Sequence, residues 1–153
     1  MDGRIFQLNR SGGGVPKLGV REAFLAETGL EGDKQSDLRF HGGPERALCL
    51  FPLELILELQ AEGHPVFPGS VGENVTVFGL EWARIEPGSR LALGDEALVE
   101  IASYTAPCKT IAASFVGGDF KRISQKVRPG DSRLYARVLR PGRISVGHAV
   151  KLL

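Results

Sequence analysis

Long apolar runs are missing from this chain of 153 residues, and no stretch comes near the roughly 18 apolar residues that a membrane-spanning helix needs. Cysteine is nearly missing as well. The two present, Cys49 and Cys108, are too few for a disulfide framework. With only three histidines (His41, His64, His148) beside them, they also lack the paired spacing of a structural zinc site. The first ten residues, MDGRIFQLNR, have neither the apolar centre nor the small-residue cleavage pattern of a secretory signal, so a cytoplasmic location is expected. Nor is the chain short of apolar residues: 42% hydrophobic and 24% charged is an ordinary globular balance, which excludes wholesale disorder.

What is present in excess is glycine. Twenty Gly and nine Pro imply many turns and short strands rather than a helical bundle. No repeat or linker divides the sequence, and one domain over residues 1–153 is expected. The net charge of +1 conceals an asymmetry: residues 1–77 carry 7 basic and 11 acidic side chains, residues 78–153 carry 12 and 7. Between Lys109 and Lys151 lie 10 basic residues against only Asp119 and Asp131. Such a segment suits phosphate, nucleic acid or simply solvent.

Along the chain, GRIFQLNR reads as a first strand, SGGGVPK (11–17) as a flexible loop, and REAFLAETG as a strand by its glycine-rich surroundings. The continuous apolar run ALCLF (47–51) has strand length and reads as buried on both faces. Pro52 then opens a helix over 52–62, with Glu54, Glu58 and Glu62 on its outer face and Gly63 ending it. NVTVFG, SRLALG and ALVEIASY read as further strands, one or two short helices follow Cys108, and RLYARVLRPG and RISVGHAVKLL close the chain. The fold class expected is mainly β: a mostly antiparallel barrel with a few inserted short helices, a β-sandwich being the rival.

Three places carry chemistry. Pro107 predicts a helix start that puts Cys108 in the first turn, where the helix dipole, free backbone N–H groups and Lys109 favour a thiolate. The same cysteine also stands in an apolar stripe with Ile111, Ala112 and Phe115, as a small core residue would. Cys49, between Leu48 and Leu50, reads as structural and enclosed by aliphatic side chains. His41 precedes Gly42-Gly43-Pro44, a loop bare enough for a ligand to approach its backbone, or an ordinary turn.

The ordered set SGGGVPK, GLEGDKQSDLRFHGGPERALCLFP, GENVTVFGL, GSRLALGD, APCK and YARVLRPGRISVGHAVKLL resembles the MOSC family, named for the C-terminal domain of molybdenum cofactor sulfurase. The resemblance covers nearly the whole chain. It implies a MOSC-type β-barrel and a site for molybdenum cofactor (molybdopterin), a pterin-dithiolene bearing a phosphate. It places Cys108 at the position of the metal ligand and catalytic centre. It also implies cofactor contacts from Lys17, His41, Gly42, Gly43, Asn74 and Arg137, with Lys109 beside the cysteine. Related stand-alone proteins often carry an arginine shortly before the cysteine; here Thr105-Ala106 stands there, so Arg133 or Arg128 would have to supply that anion contact.

The function expected from the resemblance is reduction of small N-hydroxylated compounds, with electrons from a separate reductase because the chain shows no flavin or iron–sulfur segment. The alternative is a non-catalytic carrier of molybdenum cofactor, or of sulfur on Cys108; a scaffold that has lost the cofactor is the third reading. Nucleic-acid binding accounts for the basic excess less economically, since only Phe115, Phe120 and Tyr135 are aromatic there and no binding motif accompanies them.

Overall fold

Alternation of inward and outward side chains builds the first strand, β1 (Gly3–Arg10), and a bulge corrects it. Ile5 faces the core and Phe6 faces out; the register then shifts between Ile5 and Gln7, so that Leu8 rather than Gln7 turns inward. The structure, a computed structural model, describes residues 2–34 and 43–153. Two of the expected site residues, His41 and Gly42, lie outside the described residues.

After β1 come β2 (Leu18–Val20), β3 (Glu22–Ala26) and β4 (Gly29–Leu30). The fifth strand, β5 (Leu48–Pro52), is followed by a helix, α1 (Leu53–Ala61), and by β6 (Val75–Phe78). Then follow β7 (Arg90–Leu93), β8 (Ala97–Tyr104), β9 (Leu134–Arg140), β10 (Gly142–Ser145) and β11 (Ala149–Leu152). Seven of these close on themselves in the order β11-β7-β8-β9-β5-β6-β1, with β1 pairing back onto β11. Closure removes both sheet edges and decides for the barrel over the sandwich. Strand β2 adds to β1 outside the ring, and β10, β3 and β4 form a separate small sheet. Every pairing is antiparallel except β5 with β6, which α1 connects as a crossover.

The apolar run behaves as its composition demands. β5 lies between β9 and β6, and all five of its residues are buried. Helix α1 packs Leu55, Ile56 and Leu59 inward and keeps Glu54 and Glu58 exposed. Pro52, expected as the first helical residue, is instead the last residue of β5 and the extended cap ahead of the helix, at φ −88°, ψ 141°. It still pairs with Val77 of β6, so the strand holds it out of the helix. Among the described residues no helix is long and apolar enough to cross a membrane.

The segment after Cys108 departs from expectation more clearly. It forms short 3-10 turns, Lys109–Ser114, Val116–Gly118 and Phe120–Ile123, rather than an α-helix. Phe115 is extended and Gly117 and Gly118 have positive φ, so the apolar stripe is broken before it completes a third turn. Arg122 fixes this segment to the end of α1: its guanidinium, almost wholly buried, donates to both carboxylate oxygens of Glu62 and to Asp131 at 2.7–2.8 Å.

Candidate functional site

Strand register brings the chain's scattered polar residues to one end of the barrel. Asn9 near the end of β1 donates its backbone N–H to Asn74 O, and Asn74 N–H donates in turn to Cys49 O in β5. Cys49 stands opposite Tyr135 of β9, and Thr105, just beyond β8, donates its N–H to Arg133 O. Residues distant in sequence therefore converge without any one loop having to reach far.

They line an open cleft at the protein surface. Gly14, Val15 and Lys17 form one wall; Val71, Gly72 and Asn74 another; Cys108, Thr110 and Ile111 a third. Cys49, Arg133 and Tyr135 form the strand side, and Lys34 and Arg46 stand at the remaining edge. Among the described lining residues four are cationic and none is acidic. The cleft therefore favours an anionic occupant.

Behind the lining lies a network of buried amides and charges. Asn74 accepts the Cys49 N–H at 3.0 Å through Oδ1 and donates through Nδ2 to Asp33 at 2.9 Å and to Asn9 O at 3.3 Å. Asp33 also accepts from Lys17 Nζ at 2.6 Å and from the Ser11 N–H at 3.0 Å. Both side chains of the Lys17–Asp33 pair are nearly inaccessible, so much of the lysine's charge is already spent inside the protein. Lys17 can sit there because Gly69, at φ +90°, presses its bare Cα against the Lys17 carbonyl; a β-carbon would collide with that oxygen.

Glu73, next to Asn74, is completely buried beneath this wall. One carboxylate oxygen accepts from Thr76 Oγ1 at 3.1 Å, while Oε1 has no partner among the described residues. Burial pushes its carboxyl up to about 7; hydrogen bonds from the backbone of Gly69 and Glu73 and from Thr76 hold it from rising further.

Cys108 does not stand inside a helix. It is the extended residue ahead of the first 3-10 turn, at φ −140°, ψ 173°, and its Sγ lies 2.8 Å from Thr110 Oγ1. Pro107 restrains Ala106 to extended backbone and the chain enters its turn only at Lys109, so the expected α-helix terminus is replaced by a hydroxyl neighbour. Cys49 departs from expectation too. It is 95% buried, yet its Sγ faces the cleft and Thr105 Oγ1 at 3.9 Å rather than a purely aliphatic cage. Period-two alternation turns it away from Leu48 and Leu50, and desolvation raises its thiol pKa despite the nearby charge of Arg133.

Of the expected site residues, the structure brings Lys17, Asn74 and Cys108 to the cleft. Lys109, beside Cys108, points to solvent and does not line it. Gly43 stands at φ +81° ahead of a 3-10 turn (Pro44–Arg46), away from the lining. Arg137 is also elsewhere, bonded to Glu45 at 2.7 Å and to Glu100 on the outside of the barrel. Arg128 is exposed, whereas Arg133 is buried and lines the cleft. Sequence reasoning missed Lys34, Arg46, Tyr135 and the cleft-facing side of Cys49. The available signals were the charges flanking the FHGG loop and the odd positions of two strands.

A family model for the MOSC domain matches residues 37–151. The chain is 34% identical to the uncharacterized protein YflK of Bacillus subtilis over 142 residues, covering 92% of this chain and 63% of that protein. It is 31% identical to YiiM of Escherichia coli, covering 86% of this chain and 59% of YiiM. The chain thus spans about three fifths of the length of these relatives. A protein of Gibberella moniliformis named a reductase is 28% identical over 134 residues, 85% of this chain and 23% of that protein. The crystal structure of Escherichia coli YiiM superposes with a TM-score of 0.74 at 28% identity, over all of this chain and 70% of that one. A seven-stranded closed barrel, a cysteine at its cationic cleft and a family match across three quarters of the sequence lead to one assignment: the chain belongs to the MOSC domain family.

Proposed function

We propose that the cleft binds molybdenum cofactor and that the protein reduces small N-hydroxylated compounds, taking electrons from a separate reductase in the cytoplasm. The observation that carries this reading is the convergence of a half-buried thiol, Cys108, with four cationic side chains on a cleft free of carboxylates among its described lining residues.

The donor set fits the group. No cluster of three or more His, Cys, Asp or Glu side chains that could hold a metal ion stands among the described residues. A metal held at Cys108 would take that thiolate as a soft ligand and would bring further ligands on its own organic part, as a dithiolene does. Lys34 and Arg46 at one edge and Arg133 on the strand side are the cationic residues that would hold the anionic part of that molecule. Asn74 and the Lys17–Asp33 pair lie beneath it, where their mutual hydrogen bonds fix the wall before anything binds.

When bound, such a cofactor supplies two-electron transfer, which is what cleaving an N–O bond requires. The protein's own contribution is position. Cys108 Sγ is held in place by the Thr110 hydroxyl and by the Ile111 N–H that closes the turn onto Cys108 O. Val15, Val71, Ile111 and Tyr135 add apolar side chains to the lining of the cleft. The relative named as a reductase supports this class of chemistry. A second reading, a carrier of the cofactor or of sulfur on Cys108, draws on the accessibility of that thiol.

The test is reduction of benzamidoxime or hydroxylaminopurine by protein purified from a host that makes the cofactor, with a chemical electron donor. Turnover by the parent and its loss in Cys108→Ser support the enzyme. A cofactor-loaded parent without turnover removes the reductase reading and leaves the carrier.

A further inference from the structure

A second hollow shares none of the cleft's lining. The chain entering β9 alternates between the two: Arg133 and Tyr135 line the cleft, whereas Ser132 and Leu134 line the hollow. Tyr104 at the end of β8, paired with Leu134, continues its wall. The 3-10 turn at Trp82 and the loop over residues 125–130 complete the lining.

These walls are held by their own hydrogen bonds. Trp82 is buried, and its indole N–H donates to Ser132 O at 2.9 Å, which fixes the ring in place. In the loop, Gly130 N–H donates to Gln125 Oε1 at 2.9 Å and Arg128 N–H to Ser124 O at 2.8 Å. Asp131 then ties the loop's end to Arg122.

The chemistry of the hollow is the reverse of the cleft's. None of the described residues lining it is charged; Arg84 and Arg128, neighbours in sequence, are exposed and stay out of it. Trp82, Tyr104 and Pro129 supply flat apolar surface. Two polar groups are left unspent. The Tyr104 hydroxyl and the Gln125 amide nitrogen, both on half-buried residues, have no partner among the described residues. Both are donors, so a neutral acceptor satisfies them, whereas an ion would lose water here and meet no opposite charge.

We infer that this hollow is a binding site, separate from the cleft, for a small neutral planar molecule bearing a carbonyl, an aromatic or cyclic amide. Its ring lies against Trp82 and Pro129, and its carbonyl oxygen accepts from the Tyr104 hydroxyl, with Gln125 Nε2 as the second donor. The site goes beyond the cofactor reading and stands whether or not the cleft holds a cofactor.

Trp82 is the only tryptophan in the chain, so its indole N–H gives a single resonance that identifies itself. The ¹⁵N-labelled full chain is titrated with benzamide and, separately, with benzoate, which has the same ring and shape but a negative charge. Benzamide should shift the indole resonance saturably with a Kd of about 1 mM, the range open to so few atoms. Benzoate should bind about tenfold more weakly or not at all. Ala83→Leu, at an exposed position of the lining, should abolish the shift by filling the hollow, and Tyr104→Phe should weaken binding about fivefold. An indole resonance indifferent to benzamide overturns the inference without any variant having to fold. So does benzoate binding as tightly as benzamide or more tightly, the order expected of the cationic cleft. Affinity equal to the parent's in Ala83→Leu or in Tyr104→Phe overturns it as well.

Discussion

Two polar regions of this barrel obey opposite rules. On the outside, Arg137 bonds Glu45 and Glu100, and Arg90 completes the cluster through Glu100 at 2.8 Å, so each of the four charged groups has an opposite charge against it. At the cleft, Asn74, Asp33 and Lys17 satisfy one another, yet Glu73 Oε1 and Arg133 Nε are buried without partners among the described residues. The outer cluster is complete, and around the buried Glu100 its other members are open to solvent, so water and salt share part of its work. The network under the cleft is buried and incomplete, which is the condition a binding site needs and a purely structural network avoids.

The sharpest way to break the contrast is Asn74→Leu. The change removes three hydrogen bonds from a buried site and strands the Cys49 N–H, while Asp33 Oδ2 keeps only its bond from Lys17. A loss of roughly 3–5 kcal/mol in denaturant unfolding is expected. A loss below about 1 kcal/mol would mean that the wall is not held by this residue.

Glu73 sharpens it through pH. Its folded carboxyl is raised to about 7, above the ordinary carboxylate value, so the native state holds the proton more tightly than the unfolded chain does. The stability this lends is complete below about pH 4.5 and is lost as pH rises through about 7. Glu73→Gln should remove that slope. Relative to the variant, the parent should lose about 3 kcal/mol between pH 4 and 8, measured as the difference between their unfolding curves. Parallel curves would place the Glu73 carboxyl in an ordinary environment.

The two thiols give a smaller effect. Cys49→Ala should cost about 1–2 kcal/mol, as for a small buried side chain. In the native protein Cys108 should alkylate much faster than Cys49, because one is half-buried and the other nearly sealed. Equal rates would show that the cleft opens to its floor. Least of all should come from Arg137→Ala. Its pair with Glu45 is solvent-exposed and the buried Glu100 keeps Arg90 as a partner. The change should therefore cost less than about 1 kcal/mol and shrink at about 1 M salt, where screening acts over about 3 Å.

The sequence made the barrel legible because its evidence is local: the run before Pro52, alternating strands and glycines at turns. The seven-stranded closure needed only that those strands find partners. The site was legible in part. Cys108, Lys17 and Asn74 stand in short stretches with their own character, whereas Tyr135 lies in β9 and Arg133 just ahead of it, where the register of the strand decides which arginine meets the cleft. Residues 133 and 137 are four apart and so fall on the same side of an ideal strand. What separates them is depth along β9: Arg133 sits just ahead of it, beside Thr105, and Arg137 in its middle against Glu100. The helix expected at Cys108 failed for a reason visible only afterwards, since Gly117-Gly118 and the extended Phe115 cut the run to 3-10 turns.

The central claim is that the cleft holds a metal through Cys108 and an organic anion through the residues around it. The direct measurement is molybdenum and pterin per polypeptide in the parent, Cys108→Ser and Cys49→Ser, all purified from a host that makes the cofactor. The account predicts close to one of each in the parent and in Cys49→Ser, and in Cys108→Ser a molybdenum content well below that of the parent, because a hydroxyl is a poor ligand for this metal. A parent free of both molybdenum and pterin, or a Cys108→Ser protein as fully loaded as the parent, would contradict it.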